Sequence, residues 1–201
     1  MEIPSYVSKA AVSTNGEMNS DTPTDSELLA SFLAGDADAM GVLYDRHARA
    51  VMVYLLGMLG DRQEARDVLQ HVMVGFIRRG ASLRNGTSVR SYLLASAHNR
   101  VMNLRRSRTR EQASLQGYEA LVRHRNGQPG PATQAEAEEQ RRRLNAALAL
   151  LPEDEREVVL LHVYGGLSFT EAAQALETPR STVASRYQAA IAKLREFIGH
   201  E

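Results

Sequence analysis

Apolar side chains recur at three- and four-residue steps through most of the chain. No stretch alternates apolar with polar residues in the manner of a half-buried strand. The pattern predicts helices throughout. Thr24 and Glu27 form a capping-box pair that opens a short helix through Leu28, Leu29, Phe32 and Leu33, with Gly35 to end it. Asp36 is placed to cap a longer helix that stops near Gly60, its inward stripe being Met40, Leu43, Tyr44, His47, Val51, Tyr54, Leu55 and Met58. Asp61 caps a third, whose expected core stripe is Ala65, Val68, Leu69, Val72, Met73, Phe76 and Ile77 and whose other face carries Arg62, Arg66, Asp67 and Gln70. Gly80 to Ser88 reads as a loop around the turn pair Asn85-Gly86, and a fourth helix runs on from about Val89.

The periodicity fades between residues 111 and 133, where Gln, Gly, Asn, Pro129 and Pro131 predict a flexible linker. Beyond it Thr133 can cap a helix running to Leu151, and Pro152 with Glu153, Asp154 and Glu155 starts another that ends at Gly165-Gly166. The first 23 residues lack periodicity and read as a disordered arm. A start at Met18 would leave every expected helix intact. The fold class that follows is all-α: two small helical domains joined by a flexible linker.

Composition narrows the chemistry. The 201 residues include no cysteine and six histidines without close spacing, which removes disulfides, thiolate nucleophiles and thiolate metal sites. No phosphate loop, metal cluster or nucleophile-base pair is present, so the chain is expected to be neither an enzyme nor a cofactor carrier. The longest apolar stretch, Ala50 to Leu59, is half of the roughly 20 residues that a membrane span requires. The N-terminus has no apolar signal core, and a cytoplasmic protein without membrane insertion is expected. The net charge of zero conceals an asymmetry. Residues 41–110 hold 13 Lys and Arg against 4 Asp and Glu, with Arg100, Arg105, Arg106, Arg108 and Arg110 inside eleven positions. Such a cluster suits a surface that meets nucleic-acid phosphates. A solvated helix end complementing its own dipole would carry the same residues.

The sharpest local signal is C-terminal. Ser168 to Glu171 is a capping box opening a helix of under two turns, and Thr178-Pro179 starts the next. Two helices joined by so short a turn cross steeply, which calls for small residues at the crossing, Ala172 and Ala173, and an apolar anchor, Val183. This is the spacing of a helix-turn-helix. Its second helix would present Arg180, Ser181, Thr182, Ser185, Arg186 and Gln188 to base edges and phosphates of a major groove. An ordinary helical hairpin with a polar face is the plainer alternative. Glu177 holds the turn position where glycine is usual, so either a non-glycine residue turns left-handed or the turn differs.

Residues 144–198 resemble the promoter-binding C-terminal domain of bacterial sigma factors of the extracytoplasmic-function group. Residues 36–110 resemble that group's N-terminal domain, with Asp67-Val68-Leu69-Gln70, then Ser91-Tyr92-Leu93, followed by Asn99. Met73, Ile77 and Tyr92 stand where relatives commonly carry larger aromatics, and His71 where an acid is usual. The resemblance implies a non-catalytic subunit that joins core RNA polymerase and selects promoter DNA, with an anti-sigma factor as a further partner class. It implies that residues 24–110 bind polymerase and the melted promoter element, and that residues 134–201 read the upstream duplex element. Arg66, Asp67, Gln70 and His71 would dock on a coiled coil of the polymerase's largest subunit. Asn99, Arg100, Asn103 and Arg106, with the loop Asn85 to Arg90, would hold the melted strand. A stand-alone helix-turn-helix regulator acting without polymerase is the alternative.

Overall fold

A computed structural model describes residues 22–79, 88–114 and 146–199. Among these residues every element is helical: α1 (Asp25–Leu33), α2 (Ala37–Leu59), α3 (Arg62–Arg79), α4 (Val89–Ser114), α5 (Glu153–Val159), a π turn (Leu160–Tyr164), α6 (Phe169–Ala175) and α7 (Arg180–Gly199). Residues 146–150 are also helical. The expected arm, the loop Gly80 to Thr87, the linker proper and the helix start at Thr133 lie outside the described residues.

The helix starts follow the capping residues. The Thr24 hydroxyl accepts from the Glu27 backbone N–H while the Glu27 carboxylate accepts from Thr24 N–H at 2.7 Å, and Ser168 and Glu171 repeat the arrangement. Asp36 and Asp61 accept from Asp38 N–H at 3.0 Å and Glu64 N–H at 2.8 Å. Gly60 ends α2 in the left-handed region at φ 71°.

In the N-terminal lobe α2, α3 and α4 pack on one another, and α1 lies against α2. Leu43, Val51, Tyr54, Leu55, Phe76, Leu93, Leu94 and Val101 are almost fully buried there. Asp25 anchors α1: its carboxylate pairs with Arg46 Nη1 at 2.6 Å and His47 Nε2 at 2.7 Å. Burial pushes this carboxyl up, but hydrogen bonds from His47 and Arg46 prevail and hold it below its ordinary value.

Two residues expected in the core are not there. Tyr44 and Ile77 are 44% and 45% exposed. Tyr44 and Ile77 sit at the edges of their stripes, where they line a groove between α2 and α3 that no further described helix covers. Helix α4 continues to Ser114, into the stretch read as linker.

The C-terminal lobe packs α7 on α5 and α6. Its core runs through Val158, Leu160, Leu161, Leu167, Ala172 and Val183 and is continuous with that of the N-terminal lobe. The π turn makes the join. Its wide geometry is fixed by Gly165 N–H donating to Leu160 O at 2.8 Å, an i to i+5 bond. Leu160 lies against Gly57 of α2, where an added Cβ would sit 2.6 Å from its Cδ1. A Cβ on Gly165 would meet Leu161 O at 2.4 Å and Leu94 of α4 at 2.8 Å. Both glycines are needed for this approach.

Candidate nucleic-acid interface

The α6-α7 pair has helix-turn-helix geometry. Ala172 and Val183 are fully buried at the crossing, and Glu177 makes the turn at φ +50°, the left-handed conformation otherwise expected of glycine. Thr178 N–H donates to Ala173 O at 3.0 Å, and the Pro179 carbonyl accepts from Thr182 and Val183 to start α7. A trio of rings that the sequence reading did not single out steadies the pair. His162 of the π turn, Phe169 of α6 and Tyr187 of α7 have centroids 4.4 to 5.4 Å apart. His162 Nδ1 also lies 2.6 Å from Leu167 O. Burial pushes the Tyr187 hydroxyl above its ordinary pKa. Phe, Trp and Tyr are only 5% of the chain, so Tyr164, Phe169 and Tyr187 falling close together beside His162 was an available signal.

Of the six residues expected to face a duplex, Arg180, Ser181, Ser185 and Gln188 are exposed. Thr182 and Arg186 are half-buried. The Ser185 hydroxyl donates back to Thr182 O at 3.0 Å. Arg186 is engaged elsewhere, its Nε 3.1 Å from Asp154 Oδ2 at the start of α5.

On α4 the arginine cluster divides into two sets. Asn99, Asn103, Arg106 and Arg110 are exposed and follow one another at three- and four-residue steps, so they form one outward stripe. Arg105 and Arg108 point elsewhere. Arg105 Nη2 donates to Met58 O at 2.9 Å and its guanidinium pairs with Glu153, while Arg108 pairs with Glu64 of α3. Partial burial lowers the Arg105 pKa. Arg100 is half-buried, off the stripe, and its Nε has no partner.

On α3, Arg66, Asp67, Gln70 and His71 are all exposed. Arg66 and Gln70 stand at the rim of the α2-α3 groove, an open trough of about 460 Å³ lined by Tyr44, Met52, Leu69, Met73, Val74 and Ile77. Asp67 accepts from Gln63 Nε2 at 3.2 Å. The apolar floor is the part of this face that periodicity assigned to the core. Tyr92 fills its place beside Phe76, with ring centroids 5.8 Å apart.

Among the described residues no cluster of three His, Cys, Asp or Glu is arranged to hold a metal ion, and no helix is long and apolar enough to cross a membrane.

Residues 43–111 match the family described as Sigma-70 region 2, and residues 141–194 match Sigma-70, region 4. The chain is 30% identical over 181 residues to the ECF RNA polymerase sigma factor SigM of Mycobacterium tuberculosis, covering 88% of this chain and 86% of that protein. It is 27% identical over 182 residues to SigK of Mycobacterium bovis, an ECF RNA polymerase sigma factor, covering 87% and 94%. Among solved structures, the sigma factor RpoE in complex with the anti-sigma factor NepR from Bartonella quintana superposes with a TM-score of 0.62 at 22% identity, covering 75% of this chain and 90% of that one. CnrH in complex with the cytosolic domain of CnrY gives 0.62 at 23%, covering 87% and 96%. These two likenesses concern the fold.

Proposed function

The chain belongs to the extracytoplasmic-function group of RNA polymerase sigma factors, and from that membership we propose how its surfaces divide the work of directing core polymerase to promoters. The α2-α3 groove, with Arg66, Asp67, Gln70 and His71 around it, docks on the coiled coil of the polymerase's largest subunit. Exposed Tyr44, Val74 and Ile77 supply apolar area that water-exposed helices otherwise avoid. The α4 stripe receives the melted strand: Asn99 and Asn103 offer amides to unstacked bases, and Arg106 offers charge to phosphates. Arg100, half-buried beside the stripe, adds its charge to the same strand. Helix α7 enters the upstream major groove by its exposed N-terminal half, led by Arg180, Ser181 and Ser185, with Gln188 one turn on. Thr182 and Arg186 complete that face once Arg186 leaves Asp154. Residues 1–23 act as an arm, 24–114 as the polymerase and melting domain, 115–133 as linker and 134–201 as the duplex-reading domain. The work is binding without catalysis, carried out in the cytoplasm on chromosomal DNA.

The observation that carries this reading is the division of the arginine cluster, because the outward Asn99-Asn103-Arg106 stripe stays open while Arg105 and Arg108, on other sides of the helix, are paired within the protein. RpoE and CnrH are described in complex with an anti-sigma factor and with CnrY respectively. We extend a partner of that class to this chain, with the apolar groove as its seat. The test is reconstitution with purified bacterial core polymerase and transcription from the region upstream of the chain's own gene. Asp67→Ala with Gln70→Ala should weaken assembly at unchanged thermal stability, since both side chains are exposed and leave no cavity. Tight operator binding by the free chain, without polymerase, would establish the stand-alone regulator instead.

A further inference from the structure

The first turn of α5 carries three acids in succession, and each is paired with a cation from another helix. Glu153 pairs with Arg105 of α4, Asp154 Oδ2 lies 3.1 Å from Arg186 Nε of α7, and Glu155 Oε1 accepts from Lys193 Nζ of α7 at 2.6 Å. One turn after Glu153, the buried Glu157 accepts from the Tyr54 hydroxyl of α2 at 2.5 Å and lies 2.7 Å from His98 Nδ1 of α4. So α5 meets the other lobe through Glu153 and Glu157, which share one face, and meets α7 through the two acids between them. Along Arg180–Gly199, α7 holds Arg180, Arg186, Lys193 and Arg195 against the single acid Glu196, a balance that would draw it to any duplex. Of these cations α5 engages Arg186 and Lys193. Arg186 is the one placed for DNA. It follows Ser185 by about 100° around the helix and so stands at the flank of the exposed Ser181, Ser185 and Gln188, whereas Lys193 lies about two turns farther on.

We propose that Asp154 sets the sequence-independent affinity of α7 for duplex DNA, by making every phosphate compete with a carboxylate for Arg186. The proposal rests on the reading of α7 as the duplex-reading helix. Asp154 keeps its place without the arginine, since its Oδ1 accepts from the Glu155 backbone N–H at 3.0 Å. The carboxylate therefore stays beside Arg186 as a standing alternative to DNA. With 32% and 51% of the two side chains exposed, the pair is weak enough to open. Exchanging one anion for another gains little free energy, so Arg186 adds little to binding on an arbitrary sequence. The neutral groups of Ser181, Ser185 and Gln188, which reach for base edges, then decide where α7 settles.

The test titrates a short fluorescein-labelled duplex of mixed sequence with the full chain, read by anisotropy at a series of KCl concentrations. Asp154→Asn keeps an acceptor for the Glu155 N–H and should tighten binding about threefold, with a log-log salt slope steeper by about one. Asp154→Glu retains the carboxylate and should bind as the unaltered chain does. In an Arg186→Gln background, Asp154→Asn should lose most of its gain, which separates competition for Arg186 from the effect of the added charge. Helical content and cooperative melting serve as controls. An equal gain in both backgrounds would overturn the proposal. Weaker binding by Asp154→Asn would also overturn it, because the carboxylate would then support Arg186 rather than compete for it. Arg180→Ala distinguishes the proposal from the reading beneath it. If that variant weakens binding while Asp154→Asn changes nothing, the competition alone falls; if neither changes binding, α7 does not meet the duplex and both fall.

Discussion

Glu177 holds a backbone conformation that costs a residue with a Cβ about 1–2 kcal/mol, at the turn that aims α7. Glycine adopts it freely but gives up more freedom on folding, so Glu177→Gly should stabilise the protein by about 1 kcal/mol net, seen as a higher melting temperature with duplex preference unchanged. A lower melting temperature would mean that the side chain itself holds the turn. Glu171 answers to pH. Burial raises its pKa, but hydrogen bonds from Ser91 and from the Ser168 backbone and hydroxyl bring it below the ordinary 4.5. A depressed carboxylate adds stability that is fully present above its unfolded pKa and is lost as pH falls through the folded one. Acid titration should therefore loosen the α4-α6 contact below about pH 4.5, and Glu171→Gln should flatten that part of the profile. The strain at Glu177 was legible because the turn's place follows from local spacing. The Ser91 partner of Glu171 was not, because it lies 80 residues away in sequence.

Among the helices, α3 offers the cleanest separation of docking from folding. Ile77 is 45% exposed, so Ile77→Asp should shift stability by no more than about 0.5 kcal/mol. It should weaken assembly with core polymerase about tenfold or more, measured by competition against the unaltered chain. Equal competition would remove the groove from the docking surface. On α4, Asn99→Ala should leave upstream duplex binding intact and reduce permanganate reactivity of the melted promoter at matched occupancy. Normal melting would make that amide structural. On α7, Arg180→Ala should cost about 1–3 kcal/mol if the side chain forks to a guanine, and should relax preference at one base pair. The starts of α1, α2, α3 and α6 were readable because each rests on a short-range hydrogen bond accepted by a capping side chain. Stripe edges were not. Periodicity ranks positions around one helix, but whether Tyr44 and Ile77 are covered depends on a neighbour, and here none of the described helices lies over them.

For the whole molecule, zero net charge and the internal pairing of Arg46, Arg105 and Arg108 hold down the attraction to phosphates. The free chain should bind duplex DNA weakly, with a log-log salt slope of only about −2 to −4. A much steeper slope would mean that the paired arginines also reach the backbone. The two-lobe, all-helical plan was legible because the break at residues 111–133 is a change in composition as well as in period. The way the lobes meet was not. The contact depends on two glycines, Gly57 and Gly165, that make room for Leu160 and Leu94, and glycine in a helical stretch reads from sequence only as a weak position.

The π turn at Leu160–Tyr164 carries one residue more than the α-helical turn it replaces. Each residue of an α-helix advances the chain by about 100° around the axis, so everything downstream of Tyr164 is rotated by that amount relative to an uninterrupted α5. A one-codon deletion between Leu160 and Tyr164 would let the segment relax to a regular helix with most of its apolar residues retained. It would also swing the His162-Phe169-Tyr187 trio, and α7 with it, away from the face where Glu157 meets the other lobe. The length of this segment thus sets the bearing of α7, and an insertion or deletion there acts on orientation before it acts on stability.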